Sequence, residues 1–203
     1  GRPAHTAPAA TARVLRALNA LNPAPVDRDV LGRIATTLGA DVPFLTQDQG
    51  VMAIGRGHGE ALEMLPSLPA RAVWLLIPDV AVGTADAYRW LDEAGLSGAK
   101  PEIGAPDLLS WPALVKAAGN DFEPVVGGEI PIIWRVLAGF RSEELREVLG
   151  EGAIVLMSGS GSTVFVVSGP QPPEHWAALP RIAGVDIVET ETAAFVEPVV
   201  LTN

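Results

Sequence analysis

The stretch Met157-Ser158-Gly159-Ser160-Gly161-Ser162-Thr163-Val164-Phe165 places a small, glycine-rich turn between two short apolar runs. Gly159 and Gly161 permit backbone angles that a β-carbon would forbid, and the N–H groups of such a turn can cradle a phosphate. A plain hairpin with a Ser/Gly-rich tip is the alternative. A second concentration of chemistry is Asn120-Asp121-Phe122-Glu123, where two carboxylates and an amide surround one aromatic. Read structurally, Asn120 caps the next segment, Phe122 enters the core and the charges are solvated or tie down the loop. Asp41 stands between Gly39-Ala40 and Val42-Pro43. A helix stop before it and a proline after it hold its backbone rigidly, and capping the turn is its commonest fate there. Thr84 and Tyr88, four residues apart, share one helix face. His5, His58 and His175 are scattered without metal-ligand spacing, so no zinc site is expected and no residue is assigned to a metal.

These residues need a scaffold, and composition limits its kind. The chain has 203 residues, 48% of them hydrophobic, enough for one substantial core or two small ones. Its 14 basic and 24 acidic residues give a net charge of -10, which argues against nucleic acid or an anionic membrane surface as partner. The absence of cysteine excludes disulfides and thiolate metal sites, and with nothing marking an oxidising compartment the expected location is cytoplasmic. No apolar run reaches the roughly 18 residues of a membrane span, and the first residues lack the apolar core of a signal peptide. The missing initiator methionine suggests a processed, trimmed or partial chain.

Helical spacing runs from Ala9 to Leu21 and ends at Asn22-Pro23. A second helix begins behind a cap at Asp27, continues through Leu38 and stops at Gly39. Short strands are expected over 50–55 and 63–65, on either side of a glycine-rich turn, Arg56 to Glu60. Pro66-Ser67-Leu68-Pro69 reads as a linker, so a boundary is expected near residue 68. The fully apolar run Ala72-Val73-Trp74-Leu75-Leu76-Ile77-Pro78 is of the kind found mid-sheet. Thr84 caps a helix through Leu91, further helices span 108–118 and 130–140, and Ser142 begins another with Glu143 and Glu144 in its first turn. Two strands then flank the Ser/Gly turn, a helix covers 174–178, and strands follow near 185–188 and 195–196. The order gives an α+β fold with helices on one face of a mostly antiparallel sheet.

Four segments taken in order, Leu38 to Phe44, Gly55 to Glu60, Asn120 to Pro124 and Met157 to Ser162, resemble those of the GHMP small-molecule kinases, and within them the branch that phosphorylates a cytidyl-bearing alcohol in non-mevalonate isoprenoid biosynthesis. The resemblance implies a partial GHMP architecture: a remnant of the N-terminal S5-like domain over 1–68, then a C-terminal ferredoxin-like α/β sandwich over 69–203. It implies ATP and Mg²⁺ as cofactors, a small-molecule alcohol as substrate and transfer of the γ-phosphoryl group to its hydroxyl. Asp41 matches the catalytic aspartate of that family. Thr84 matches its substrate-contacting threonine, and Tyr88 the aromatic that stacks on cytosine, although packing in the core would equally occupy the only tyrosine. Ser158, Gly159, Ser160, Gly161 and Ser162 match its phosphate or substrate loop. Since ATP brings Mg²⁺, Asp121 or Glu123 could be metal ligands instead of structural groups.

One part of the family pattern is missing. Its other glycine-rich loop, placed before the helix that begins here near Ala9, corresponds to His5-Thr6-Ala7-Pro8-Ala9-Ala10, which holds no glycine. An incomplete form with impaired activity is therefore expected. The alternatives are another GHMP kinase, for homoserine, mevalonate or galactose, and a non-catalytic ligand-binding or assembly module. A homodimer through an exposed sheet edge is a further expectation.

Overall fold

A strand that is apolar on both faces must be covered on both. Ala72–Pro78 forms such a strand, β3, in the computed structural model, which describes residues 7–57, 59, 61–96, 103–171 and 179–200. By packing, the chain forms two compact units, Gly1–Leu68 with Ala193–Asn203, and Pro69–Thr192. Residues 193–200, expected with the second domain, thus group with the first, where the Arg16 guanidinium donates to the Glu197 carbonyl.

In the first unit, helix α1 (Ala7–Leu21) packs Ala12 and Leu15 against Ala35, Val42 and Leu45. Asn19 clamps the turn that follows: its Oδ1 accepts from Val26 N at 2.9 Å and its Nδ2 donates to Val26 O at 3.2 Å. Helix α2 (Arg28–Thr36) starts as expected, with the Asp27 carboxylate accepting from Val30 N, but Thr37 already forms its C-cap, ahead of Gly39. A short helix that the sequence did not suggest, α3 (Val42–Thr46), begins on Pro43 in its first turn. Strands β1 (Ala53–Arg56) and β2 (Ala61–Met64) form an antiparallel hairpin.

The second unit is built on a four-stranded antiparallel sheet of order β4-β5-β3-β6, with β4 at Ile154–Met157, β5 at Val164–Val167 and β6 at Val185–Glu191. The helices are α4 (Thr84–Glu93), α5 (Trp111–Ala117), α6 (Glu123–Glu129), α7 (Pro131–Phe140) and α8 (Glu143–Leu149). Trp74, Leu76, Met157, Val164 and Val166 face Val126, Ile133, Val136, Leu137 and Phe140 of α6 and α7. The alternate residues Val73, Ile154 and Val167 face Trp111, Leu114 and Val115 of α5. The expectation of helices on one face alone is corrected, and the reason is the alternation itself, since both sets of side chains are apolar.

The α+β class is as expected, and β3 lies mid-sheet between β5 and β6. The helix expected over 108–118 is interrupted, because the Ser110 hydroxyl accepts from Ala113 N at 3.3 Å and so starts α5 afresh after a 3₁₀ turn at Ala105–Leu108. Ser142 caps α8 as expected, and hydrogen bonds from the Glu144 backbone and the Ser142 hydroxyl hold the Glu144 carboxyl below its usual range. Phe195 and Val196 form no strand, and Phe195 is exposed. The helix expected over 174–178, and His5, His58 and His175, lie outside the described residues. Among the described residues β4 and β6 edge the sheet, and β6 carries Asp186, Glu189 and Glu191, like charges that oppose pairing with a second copy of that edge. No helix among them is long and apolar enough to cross a membrane.

The two-sided burial has a direct test. Val73 is 7% exposed on the α5 face. Val73→Thr keeps the shape and buries a hydroxyl, so it is expected to cost about 1–3 kcal/mol in chemical denaturation; a cost near zero would mean that this face is solvated.

Candidate functional site

The loop between β4 and β5 is a tight turn. Ser158 N donates to Thr163 O at 2.8 Å and Gly161 N to Ser158 O at 2.9 Å, so these two N–H groups are engaged within the turn. Gly161 has φ +91, and a β-carbon there would stand 2.8 Å from the Met157 sulfur and 3.4 Å from Val82. The conformation and the close approach both require glycine.

Asn120 to Glu123 hold this turn from beneath. Asn120 Nδ2 donates to Met157 O at 2.6 Å and to Gly159 O at 2.8 Å, while its Oδ1 accepts from Phe122 N at 2.9 Å. Glu123, 7% exposed, accepts from Met157 N at 2.8 Å. Its two oxygens also accept from the Arg141 guanidinium at 3.0 and 2.7 Å. Arg141 in turn donates to Val155 O. Glu123 thus ties down the loop, as the structural reading has it, whereas the expectation that Asn120 caps the next segment is corrected: Phe122 holds the N-cap position of α6, and the Asn120 side chain is engaged by Phe122 N and by the carbonyls of Met157 and Gly159. Apart from Phe122 N, the partners of Asn120 and Glu123 lie 18 or more residues away along the chain, and Arg141 was not picked out from the sequence, where only its place at the end of α7 could have suggested a carbonyl partner. Among the described residues no group of three or more His, Asp or Glu side chains could hold a metal ion. Both Glu123 oxygens are engaged by Arg141, so this carboxylate has a structural partner.

From α4, Thr84 approaches the turn and Tyr88 stands against Phe122. Thr84 was expected to cap this helix, but Gly83 holds the N-cap position and Thr84 is the first helical residue. Its hydroxyl is instead 3.3 Å from the Ser160 hydroxyl, and either can donate. Tyr88, one helical turn further on, is 54% exposed, which rules out core packing. Its ring stands edge-on to Phe122, with centroids 4.9 Å apart and an interplanar angle of 84°. Thr84, Tyr88, Ser160, Asn120 and Phe122 thus gather at one end of the second unit.

Asp41 belongs to the first unit. It occupies the N-cap position of α3, yet its side chain makes no capping hydrogen bond; only its carbonyl takes part, accepting from Leu45 N at 3.2 Å. The carboxylate is exposed, while Val42 and Pro43 beside it are buried. The expectation that this carboxylate caps the turn is corrected, since the turn is closed by backbone groups.

No protein-family model matches the chain. The 4-diphosphocytidyl-2-C-methyl-D-erythritol kinase of Thermus thermophilus is 40% identical over 172 residues, 81% of this chain and 54% of that protein. The kinase of the same name from Rhizobium johnstonii is 35% identical over 155 residues, 76% of this chain and 48% of that one. A crystal structure of 4-(cytidine 5'-diphospho)-2C-methyl-D-erythritol kinase, 34% identical, matches with a TM-score of 0.55 over 77% of this chain and 53% of the other. This chain is a relative of those kinases. It spans about half the length of the curated relatives it matches.

In this relative of the 4-diphosphocytidyl-2-C-methyl-D-erythritol kinases, the Glu123 network makes a sharp expectation. Glu123→Ala leaves Arg141 and the Met157 N–H without their acceptor and should cost about 3–5 kcal/mol of stability. Glu123→Gln keeps an acceptor for one of them and should cost less. Equal denaturation midpoints for both variants and the parent would show that the turn is held by other means.

Proposed function

We propose that the chain carries the substrate-facing part of an ATP-dependent small-molecule kinase of the GHMP type, acting on 4-diphosphocytidyl-2-C-methyl-D-erythritol, the compound in its relatives' name. The reaction forms a bond between a substrate hydroxyl oxygen and the γ-phosphorus of ATP, breaks the bond from that phosphorus to ADP and releases the hydroxyl proton. Asp41 is the base that accepts this proton, a role suited to an exposed carboxylate on a fixed backbone. The Ser158–Ser162 turn offers N–H groups and the Ser160 hydroxyl to phosphate or substrate oxygens. Thr84 supplies a second hydroxyl, and Tyr88 a face on which cytosine stacks. Mg²⁺ enters with ATP, since such an ion is held by the phosphates together with one or two carboxylates instead of by an all-protein cage.

The observation that carries this reading is the approach of Thr84 to Ser160 beside an exposed tyrosine. It joins two segments, 76 residues apart in sequence, that the resemblance assigns separately to substrate and to the phosphate or substrate loop. Residues 5–10 contain no glycine, so the family's second phosphate loop has no counterpart within them. The 203-residue chain by itself therefore transfers phosphate slowly.

Two measurements test the reading. Calorimetric titration with 4-diphosphocytidyl-2-C-methyl-D-erythritol should detect binding that Tyr88→Ala weakens by about tenfold, the lower range of a lost base–aromatic stack; no binding, or binding indifferent to this change, overturns the substrate assignment. Coupled ADP release from the chain alone should be far below the ordinary enzyme range of about 1–1,000 per second, and turnover within that range would defeat the claim of impaired activity.

A further inference from the structure

The motif Gly55-Arg56-Gly57-His58-Gly59-Glu60 has so far been given no role. We propose that Gly59, at the tip of the β1–β2 hairpin, is a positioning residue that fixes the place of Asp41.

The hairpin sets Arg56 opposite Ala61, and Gly59 N donates to Arg56 O at 3.1 Å, so the tip is a closed turn on a paired stem. A β-carbon built on Gly59 would stand 2.0 Å from the Ala40 oxygen and 2.9 Å from the Ala40 carbonyl carbon. Only a hydrogen fits in that space. The backbone of the tip therefore lies directly against the peptide group that joins Ala40 to Asp41. Gly59 also has φ +92, a second reason for glycine. On the other side the chain is held by Val42, 1% exposed, whose N–H donates to Gly39 O at 3.2 Å. The Asp41 side chain makes no capping bond, so the Gly59 contact bears on its carboxylate through the backbone that carries it. Gly32 is a natural control, because a β-carbon there would meet nothing within 4 Å.

The consequence for phosphoryl transfer rests on the reading of Asp41 as base; the placement of Asp41 does not. In the full chain, Gly59→Ala should move the amide NMR resonances of Ala40, Asp41 and Val42 and leave those of Pro69–Thr192 in place, whereas Gly32→Ala should leave the Ala40–Val42 resonances unmoved. A milder variant, Leu62→Ala, loosens the hairpin stem without adding an atom at Ala40. It should raise hydrogen exchange at the Val42 amide by about tenfold while exchange in α2 is unchanged. Unmoved Ala40–Val42 resonances in a folded Gly59→Ala chain overturn the proposal, as does unchanged Val42 exchange in Leu62→Ala, which decides the matter if Gly59→Ala does not fold. In residual phosphoryl transfer, Gly59→Ala should lower kcat with KM unchanged, and combining it with Asp41→Asn should lower kcat no further than Asp41→Asn alone. An additive loss would show that Gly59 does not act through Asp41. Transfer that is indifferent to Asp41→Asn, with the NMR result as expected, would remove the base assignment and leave the placement standing.

Discussion

The buried carboxylate of Glu123 is the group on which the second unit's site depends. A charge this far from water must be paired, and Glu123 meets the Arg141 guanidinium at the end of α7 and the Met157 N–H at the end of β4. One side chain thereby ties the start of α6, the end of α7 and the edge of the sheet together. Asn120, three residues earlier, holds the carbonyls on either side of Ser158. The turn that follows β4 has its backbone fixed from below, so that Ser160 is presented to Thr84 instead of sampling many positions.

That arrangement needs a platform, and the sheet supplies it because β3, β4 and β5 are covered by apolar side chains on both faces. Trp74 and Leu76 point into the α6–α7 side while Val73 and Leu75 point to α5. Interiors packed at this density resist local shifts. The hydroxyls of Thr84 and Ser160 stand where β4 ends and β5 and α4 begin, next to this packed region.

The kinship with 4-diphosphocytidyl-2-C-methyl-D-erythritol kinases covers three quarters or more of this chain and about half of its relatives. Each unit fixes its candidate groups by contacts of its own. In the second unit a buried ion pair and an amide arrange hydroxyls. In the first, a glycine hairpin tip and a buried valine hold the backbone on either side of an exposed carboxylate. The acid that is engaged by partners, Glu123, is the one with a structural task, and Asp41, whose side chain makes no capping bond, is the one proposed for catalysis.

Features whose causes lie within a few residues could be read from the sequence. The β4–β5 hairpin and the Asp27 and Ser142 caps depend on spacing, side-chain shape and backbone preference over one turn or one strand. The central place of β3 followed from its unbroken apolar run. Long-range contacts were not legible in this way. Thr84 looks like a helix cap until Ser160 comes within 3.3 Å of it, and Tyr88 could have been core until the fold left it 54% exposed. Arg141 carries no local mark of its bond to Glu123, nor Gly59 of its fit against Ala40. Residue types and near-neighbour spacing determined which elements form and which side chains are available for chemistry. Which of them meet was decided by tertiary packing, because burial, charge pairing and steric exclusion act between segments whose separation in sequence says nothing of their distance in space.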